Sequence, residues 1–293
     1  MVRTESWGNR LFDIGNYIFL IMLMVVTVYP LMYVAFASVS DASQLMAHKG
    51  MLWRPLGFSF EAYKNVFRNP MISSGYLNTL FILVFGLGVN ILLTSFGAYA
   101  LSRRTLAYRK QIMLFFVFTM FFSGGLIPFY FAVMNLGLRN SLWALIIPVA
   151  VNTFNLIIMR TAFEGIPVSL EESAKMDGAN DFVILFRIIL PLSLPVVAVI
   201  LLYYGVSHWN AWFNASIFLQ DRDQYPLQLI MREILLQGEA SAMAEGAAME
   251  DVAMLSATLK YATIMVATVP ILLVYPFLQK YFVKGAMIGA IKG

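Results

Sequence analysis

The 293 residues contain no cysteine and only two histidines, His48 and His208. The first absence excludes disulfides and thiolate metal sites, and the second leaves too few imidazoles for a histidine cluster. Charge is scarce as well. Asp, Glu, Lys and Arg make up 12% of the chain, against about 25% in an ordinary soluble domain. The few charges are segregated, and none occurs in 14–40, 69–102, 111–138, 140–159, 188–220 or 261–279. No G-x-x-x-x-G-K followed by Ser or Thr is present, so nothing in the chain is built to cradle the phosphates of a nucleotide. The basic residues lie scattered between the apolar runs and form no continuous face, which argues against a nucleic acid as partner.

What fills the chain instead is apolar, at 60% of residues. Each uncharged run is long enough for the roughly 20 residues that cross a bilayer as a helix. The sequence therefore predicts an all-α polytopic membrane protein with six transmembrane helices, near 14–38, 77–101, 112–134, 142–160, 192–214 and 260–279. Pro30 is expected to kink the first. Gly124-Gly125 and Pro128 are expected to bend or partly unwind the third. The second carries Gly86, Gly88, Ser95, Gly97 and Ala98, small residues that let helices approach closely in lipid. The apolar run from Ile14 is longer than the 7–15 residues of a signal-peptide core, so the first helix is read as uncleaved.

Lys and Arg set the orientation. If residues 1–13 are cytoplasmic, the inside segments 1–13, 103–110, 160–187 and 280–293 hold twelve basic and seven acidic residues, and the outside segments hold eight and nine. The four cations of RRTLAYRK, 103–110, are explained as a topology anchor. The six-helix domain is then 14–279, with cytoplasmic ends at 1–13 and 280–293 and an extracytoplasmic loop at 221–258. A second outer loop, 41–75, contains FEAYKNVF at 60–67, read as a surface helix.

One charged stretch stands between the fourth and fifth spans, SLEESAKMDGANDFVILFRIILP at 169–191. Ser169 and Glu172 have capping-box spacing, in which each side chain satisfies a backbone N–H of the first turn. Gly178 is the expected stop, and an apolar helix is expected from about Asp181 to Leu190. A short amphipathic helix, a glycine and a second helix entering the membrane make an elbow on the membrane surface.

The spacing Glu172-Ser173-Ala174, Gly178, Ile188, Leu190-Pro191 resembles the EAA motif of ABC-importer permeases, E-A-A-x3-G-x9-I-x-L-P, with Ser173 replacing the first Ala. The span order, the large loop before the last span and the ending in Lys292-Gly293 resemble the second permease subunit of maltose-type importers. YPLQLIMREIL and FVKGAMIGAIKG look closest to the subgroup that handles complex or acidic oligosaccharides such as alginate. The resemblance implies a cytoplasmic coupling elbow that docks on a separate ATPase, involving Glu171, Glu172, Ser173, Ala174, Asp177, Gly178, Ile188, Leu190 and Pro191. It implies that the tail residues Gly289, Lys292 and Gly293 reach the ATPase. It also implies a second homologous permease subunit, two ATPase subunits and an extracytoplasmic solute-binding protein. On this reading the chain lies in a bacterial cytoplasmic membrane, is not itself an enzyme and binds no cofactor, with ATP and magnesium held by the partner ATPase.

Polar residues within the spans mark a candidate translocation path, because polar groups in lipid are costly unless they face the bundle interior. These are Asn152 and Asn155 on the fourth span and His208, Asn210 and Asn214 on the fifth. Asn210 and Asn214 share a helix face that Trp209 and Trp212 do not, and the Asn pair is expected to face the path. Two other classes stay open from the residues alone. A secondary transporter would need an ionisable relay in the membrane, and the six runs have no Asp, Glu, Lys or Arg. A membrane-embedded enzyme would have a single intramembrane histidine with no paired acid.

Overall fold

The computed structural model describes residues 7–243, 258–274 and 276. The tail residues Gly289, Lys292 and Gly293 and residues 244–257 of the loop 221–258 lie outside the described residues. Helices dominate, and no strand occurs among the described residues. The chain divides into two compact units, residues 1–69 with 233–269, and residues 70–232 with 270–293.

The first unit begins with α1, Trp7–Ser38, a 32-residue helix that keeps Pro30 in its interior. Its side chains up to Val28 are exposed and overwhelmingly apolar, as suits a helix solvated by lipid. Only its last turns pack. Ala37 joins Leu45 and Leu52 in a small core, flanked by Tyr33, Phe36, Leu56 and Tyr261. Two short helices follow, α2, Ala42–Ala47, and α3, Glu61–Arg68. Asp41 caps α2 by accepting from the N–H groups of Ser43 and Gln44. The Tyr29 hydroxyl accepts from the Leu52 N–H at 3.0 Å and pins the intervening loop to α1. The unit also takes most of α14, Thr258–Val274, whose start falls where the sixth span is expected.

The second unit is organised around α4, Pro70–Ser102. Then come α5, Arg109–Phe121, and α6, Leu126–Asn135, two apolar halves that meet at 118°. The break falls at the expected glycines, with Gly125 at φ +83°. Two 3-10 turns, Leu142–Leu145 and Ile147–Val149, lead to α7, Thr153–Glu164, at a 50° bend. The elbow helix α8 is Val168–Met176. It is followed by α9, Asp181–Ile184, a π turn at Leu185–Ile189, and α10, Leu190–Leu192. Pro191 cannot donate to Arg187 and its ring would crowd that carbonyl, and the ladder widens to a π turn just before it. At Ser193 the chain bends by 87° into α11, Leu194–Trp209, then α12, Phe213–Phe218, and the start of α13, Leu227–Met243, whose residues from Glu233 on belong to the first unit.

By length and composition α1, α4 and the three bent pairs can each cross a membrane, and α14 is a shorter apolar helix. The third, fourth and fifth apolar runs are thus broken rather than continuous. The core of this unit lies where α4 packs on α7 and α11, around Leu156, Met159, Phe163, Ile184, Leu185, Ile189 and Ile200, all under 2% exposed or close to it. A second cluster joins Ile82, Val133, Leu145, Ile146 and Phe218.

Candidate functional site: elbow and polar cavity

The elbow departs from the expected capping box. α8 starts at Val168, with Pro167 as N-cap and no side-chain cap hydrogen bond. Ser169 therefore lies inside the first turn and does not cap it. The chain leaves Pro167 with φ −57°, the value a proline ring imposes, so the ring itself starts the helix. The carboxylate that the fold uses is Glu171, not Glu172. Glu171 is buried, whereas Glu172, Ser173 and Asp177 are exposed and Ala174 is half-buried.

Glu171 sits at the centre of a charge cluster. It pairs with Arg103, at the end of α4, and with the Lys175 ammonium at 3.1 Å. It also accepts from the Tyr99 hydroxyl at 3.2 Å. Lys175 reaches on to Asp181 of α9 at 3.3 Å. The Arg103 guanidinium meanwhile donates to the Phe163 carbonyl at 3.3 Å and to the Ser102 hydroxyl at 3.0 Å, and lies 4.9 Å from the centre of the Tyr99 ring. A second brace stands beside it. Glu164 pairs with Arg160 at 2.7 Å and Arg109 at 3.1 Å, and these two arginines also donate to the Leu101 and Ser102 carbonyls. Half of the loop cations read as a topology anchor are therefore structural. The side chains of Arg103 and Glu171 are 16% and 8% exposed. Removing one partner of a buried pair is costly when the other charge is left uncompensated, and here Lys175 and Tyr99 still hold Glu171 when Arg103 is removed. Arg103, Arg109, Glu164, Glu171 and Lys175 line a cavity of about 430 Å³ that also touches Arg104 and Glu172.

The Glu171 hydrogen bond first, and then that of Asp181, hold the Lys175 ammonium above its ordinary pKa of 10.5. A folded-state value raised in this way stabilises below the ordinary value and is lost as pH rises through the raised one. The thermal midpoints of the wild type and Lys175→Met should therefore differ by a constant amount through neutral pH, and converge only above the ordinary lysine range. Convergence already between neutral and mildly alkaline pH would show that Lys175 does not carry this charge pair.

Gly178 ends α8 in a Schellman arrangement. Its φ is +83°, its N–H donates to Lys175 at 3.0 Å, and the Ala179 N–H donates to Ala174 at 2.9 Å. Asn180 then caps α9 by accepting from the Val183 N–H at 2.9 Å. Of the remaining motif positions, Ile188 and Leu190 are half-buried and Pro191 is exposed, while their neighbours Ile184, Leu185 and Ile189 fill the core.

The polar residues of the spans fall into two groups. Asn152, Asn155 and His208 come together around a cavity of about 420 Å³, joined by Val149, Phe154, Tyr203, Tyr204 and Ser207. Asn210 and Asn214 are not among these lining residues. Asn210 ends α11, and its amide donates back to the Val206 carbonyl at 2.8 Å. Trp209 packs edge-on against Tyr76, and Trp212 lies 3.5 Å beneath the Arg232 guanidinium. The wall is therefore drawn from positions up to two turns before the expected pair, where Tyr203, Tyr204 and Ser207 looked like ordinary span residues.

The break in the fourth run builds this cavity. Between the 3-10 turns and α7 the backbone becomes extended at Asn152, which caps α7 by accepting from the Asn155 N–H at 3.2 Å. Asn152 and Asn155 are thus a cap and its partner rather than two positions on one continuous helix. A break in the membrane orphans backbone groups that must be satisfied internally. Asn90 of α4, fully buried, donates its amide to the Val149 carbonyl at 3.1 Å and to that of Ala150 at 2.8 Å. The Tyr204 hydroxyl accepts from the Asn152 N–H at 2.8 Å and bonds the Thr94 hydroxyl at 2.8 Å. Because both Asn90 amide hydrogens are used, its carbonyl oxygen must accept, so His208 Nε2, 2.7 Å away, carries the proton. His208 Nδ1 is then the acceptor atom of the ring. Gly86 permits the contact, since a Cβ there would stand 2.8 Å from His208 Nε2.

Residues 80–287 match the family model described as binding-protein-dependent transport system inner membrane component. The chain belongs to this family, and is an inner-membrane permease component of an ABC transporter. It is 45% identical over 290 residues, 97% of this chain and 99% of the relative, to the polygalacturonan/rhamnogalacturonan transport system permease protein YtcP of Bacillus subtilis (strain 168). It is 39% identical to Protein LplC of the same organism, covering 98% of this chain and 96% of the relative. Among solved structures it is similar to a chain of a bacterial ABC transporter involved in the import of the acidic polysaccharide alginate. The TM-score is 0.88 and the identity 32%, over 96% of this chain and all of that one.

Proposed function

We propose that this chain is one of two membrane-spanning subunits of an ATP-driven importer that takes an acidic oligosaccharide from an extracytoplasmic binding protein and passes it to the cytoplasm. Six spans with both ends cytoplasmic place the elbow on the ATPase side. The observation that carries the reading is the division of labour between two adjacent carboxylates. Glu171 is turned inward and locked, which leaves Glu172 exposed on a helix whose outward residues include Met176, 89% exposed, and Val168 and Leu170. An outward carboxylate among apolar side chains suits a basic residue and an apolar lip on a separate ATPase, and ATP and magnesium would be held there. The acidic substrate class rests on the likeness to the permease YtcP and to the alginate importer. The cavity at Asn152, Asn155 and His208 fits a sugar as one wall of the path, with amide, imidazole and hydroxyl groups for its hydroxyls and Phe154 and Tyr203 for its C–H faces. No lining residue is charged, so the uronate carboxylates would be met by the partner subunit or by solvent.

The test is reconstitution with the partner permease, the ATPase and the binding protein in proteoliposomes. Hydrolysis should rise when the loaded binding protein is added, and oligogalacturonate uptake should require ATP. Charge reversal at Glu172 should abolish stimulation and be restored by a compensating acidic residue on the ATPase. Uptake driven by an ion gradient without ATP would overturn the assignment.

A further inference from the structure

We propose that Arg103 is a positioning residue that makes α8 and the cytoplasmic end of α4 one rigid body, so that movement imposed on the elbow is delivered to α4. This rests on the function proposed above. α8 is joined covalently to its neighbours only through short connections, 165–167 and 177–180, each of which contains a glycine. Such connections position a helix but transmit force poorly, because one or two φ/ψ changes absorb a displacement. Side chains supply the stiffness. One guanidinium joins three helices, through Ser102 and Tyr99 of α4, the Phe163 carbonyl of α7 and Glu171 of α8. Its planar fork suits this, since several donors are fixed in one plane and each bond costs little additional ordering. Lys175 extends the same chain of charges to Asp181.

The neighbouring brace makes the role separable. Arg109, Arg160 and Glu164 tie the ends of α4, α5 and α7 to each other, and their ion pairs and hydrogen bonds reach no described residue of α8. Loss of Arg103 therefore leaves the Tyr99–Glu171 hydrogen bond as the remaining polar tie between α4 and α8, while the base of the bundle stays closed. The receiving element is also apt. α4 carries Asn90 and Thr94, which hold the cavity wall through His208 and Tyr204. Twelve helical residues, 91–102, separate Asn90 from Arg103 at the end of α4, a distance of about 20 Å. A rigid attachment at one end of α4 thus shifts the groups that shape the cavity at the other.

The experiment uses the complete importer in proteoliposomes, and reads oligogalacturonate taken up per ATP hydrolysed. Arg103→Gln should assemble and hydrolyse ATP, yet lower uptake per ATP about fivefold or more, a typical coupling effect. Arg103→Lys, which keeps the charge but not the fork, should recover part of the ratio. A merely structural arginine would lower assembly or both activities together and leave the ratio unchanged. An Arg103→Gln ratio within about twofold of wild type, below the usual coupling range, overturns the proposal, as does an Arg103→Lys variant no better than Arg103→Gln. If Arg103→Gln fails to assemble, the nearly isosteric Glu171→Gln is read in its place. Failure of both would mean that the pair serves folding, which also overturns the proposal. A wild-type complex that shows no ATP-dependent uptake would instead overturn the function proposed above, whatever Arg103 does.

Discussion

Asn90→Asp should destabilise the purified chain nearly as much as Asn90→Leu, although it is close to isosteric. Asn90 is fully buried, and its two amide hydrogens meet the Val149 and Ala150 carbonyls that the break in the fourth run leaves without partners. A carboxylate has no hydrogens to offer and would set negative charge against two carbonyl oxygens. A leucine would leave those oxygens and the His208 Nε2 proton unpaired. Each buried group left unsatisfied costs about 1–3 kcal/mol, whereas a replaceable hydrogen bond between membrane helices averages only about 0.6 kcal/mol. The first figure applies here, because the Val149 and Ala150 carbonyls stand at the break before Asn152, where the helical ladder does not reach them. Both variants should lower the thermal midpoint in detergent well beyond His208→Ala, which removes only one of the three bonds. If Asn90→Asp melts with the wild type, the break is held by something other than this amide.

The same region shows what was legible in the chain and what was not. The segregation of charge placed the apolar runs, and Gly124-Gly125 placed the break in the third, because a residue at φ +83° favours glycine strongly enough to be read locally. The break in the fourth run had a visible proline, Pro148, but its stabilising partners come from 60 and 52 residues away, in Asn90 and Tyr204. No periodicity links such positions. Asn152 and Asn155 line one cavity as an N-cap and the residue whose N–H it accepts, and i,i+3 spacing describes a helix face and an N-cap equally well. Gly86 and Gly97 do sit against neighbours, His208 and Leu156, whereas nothing stands within 4 Å of a Cβ at Gly88. Small residues signal close approach only when the opposite helix is known.

The elbow repeats the lesson with charge. Two adjacent glutamates are equivalent in sequence, and the capping-box spacing drew attention to Glu172. Which of them turns inward is decided by Arg103, 68 residues before Glu171 in a loop whose four cations looked like a topology signal. A positive-inside bias and a structural salt bridge use the same residues, and only the folded chain separates Arg103 and Arg109 from the rest of that loop.

Gly178→Val should uncouple the elbow, while Gly178→Asn should largely spare it. A Cβ at 178 meets no atom within 4 Å, so neither substitution clashes with a neighbour. The whole effect comes from φ +83°. A left-handed residue costs about 1–2 kcal/mol when it carries an ordinary side chain. Asparagine is among the few that adopt this conformation readily, and a β-branched valine is among the worst. If the backbone relaxes to negative φ, the donors of residue 178 and Ala179 leave the carbonyls of Lys175 and Ala174. The turn toward Asn180 then opens, and Asp181 is carried away from Lys175. A penalty of that size corresponds to about a 5- to 30-fold shift between the native turn and its alternatives. ATPase stimulation and uptake should fall by a comparable factor in Gly178→Val at equal membrane levels, and Gly178→Ala should lie between it and Gly178→Asn. Equal losses in the valine and asparagine variants would point to a need for an uncovered surface at 178, such as close approach by the ATPase, rather than for its backbone conformation.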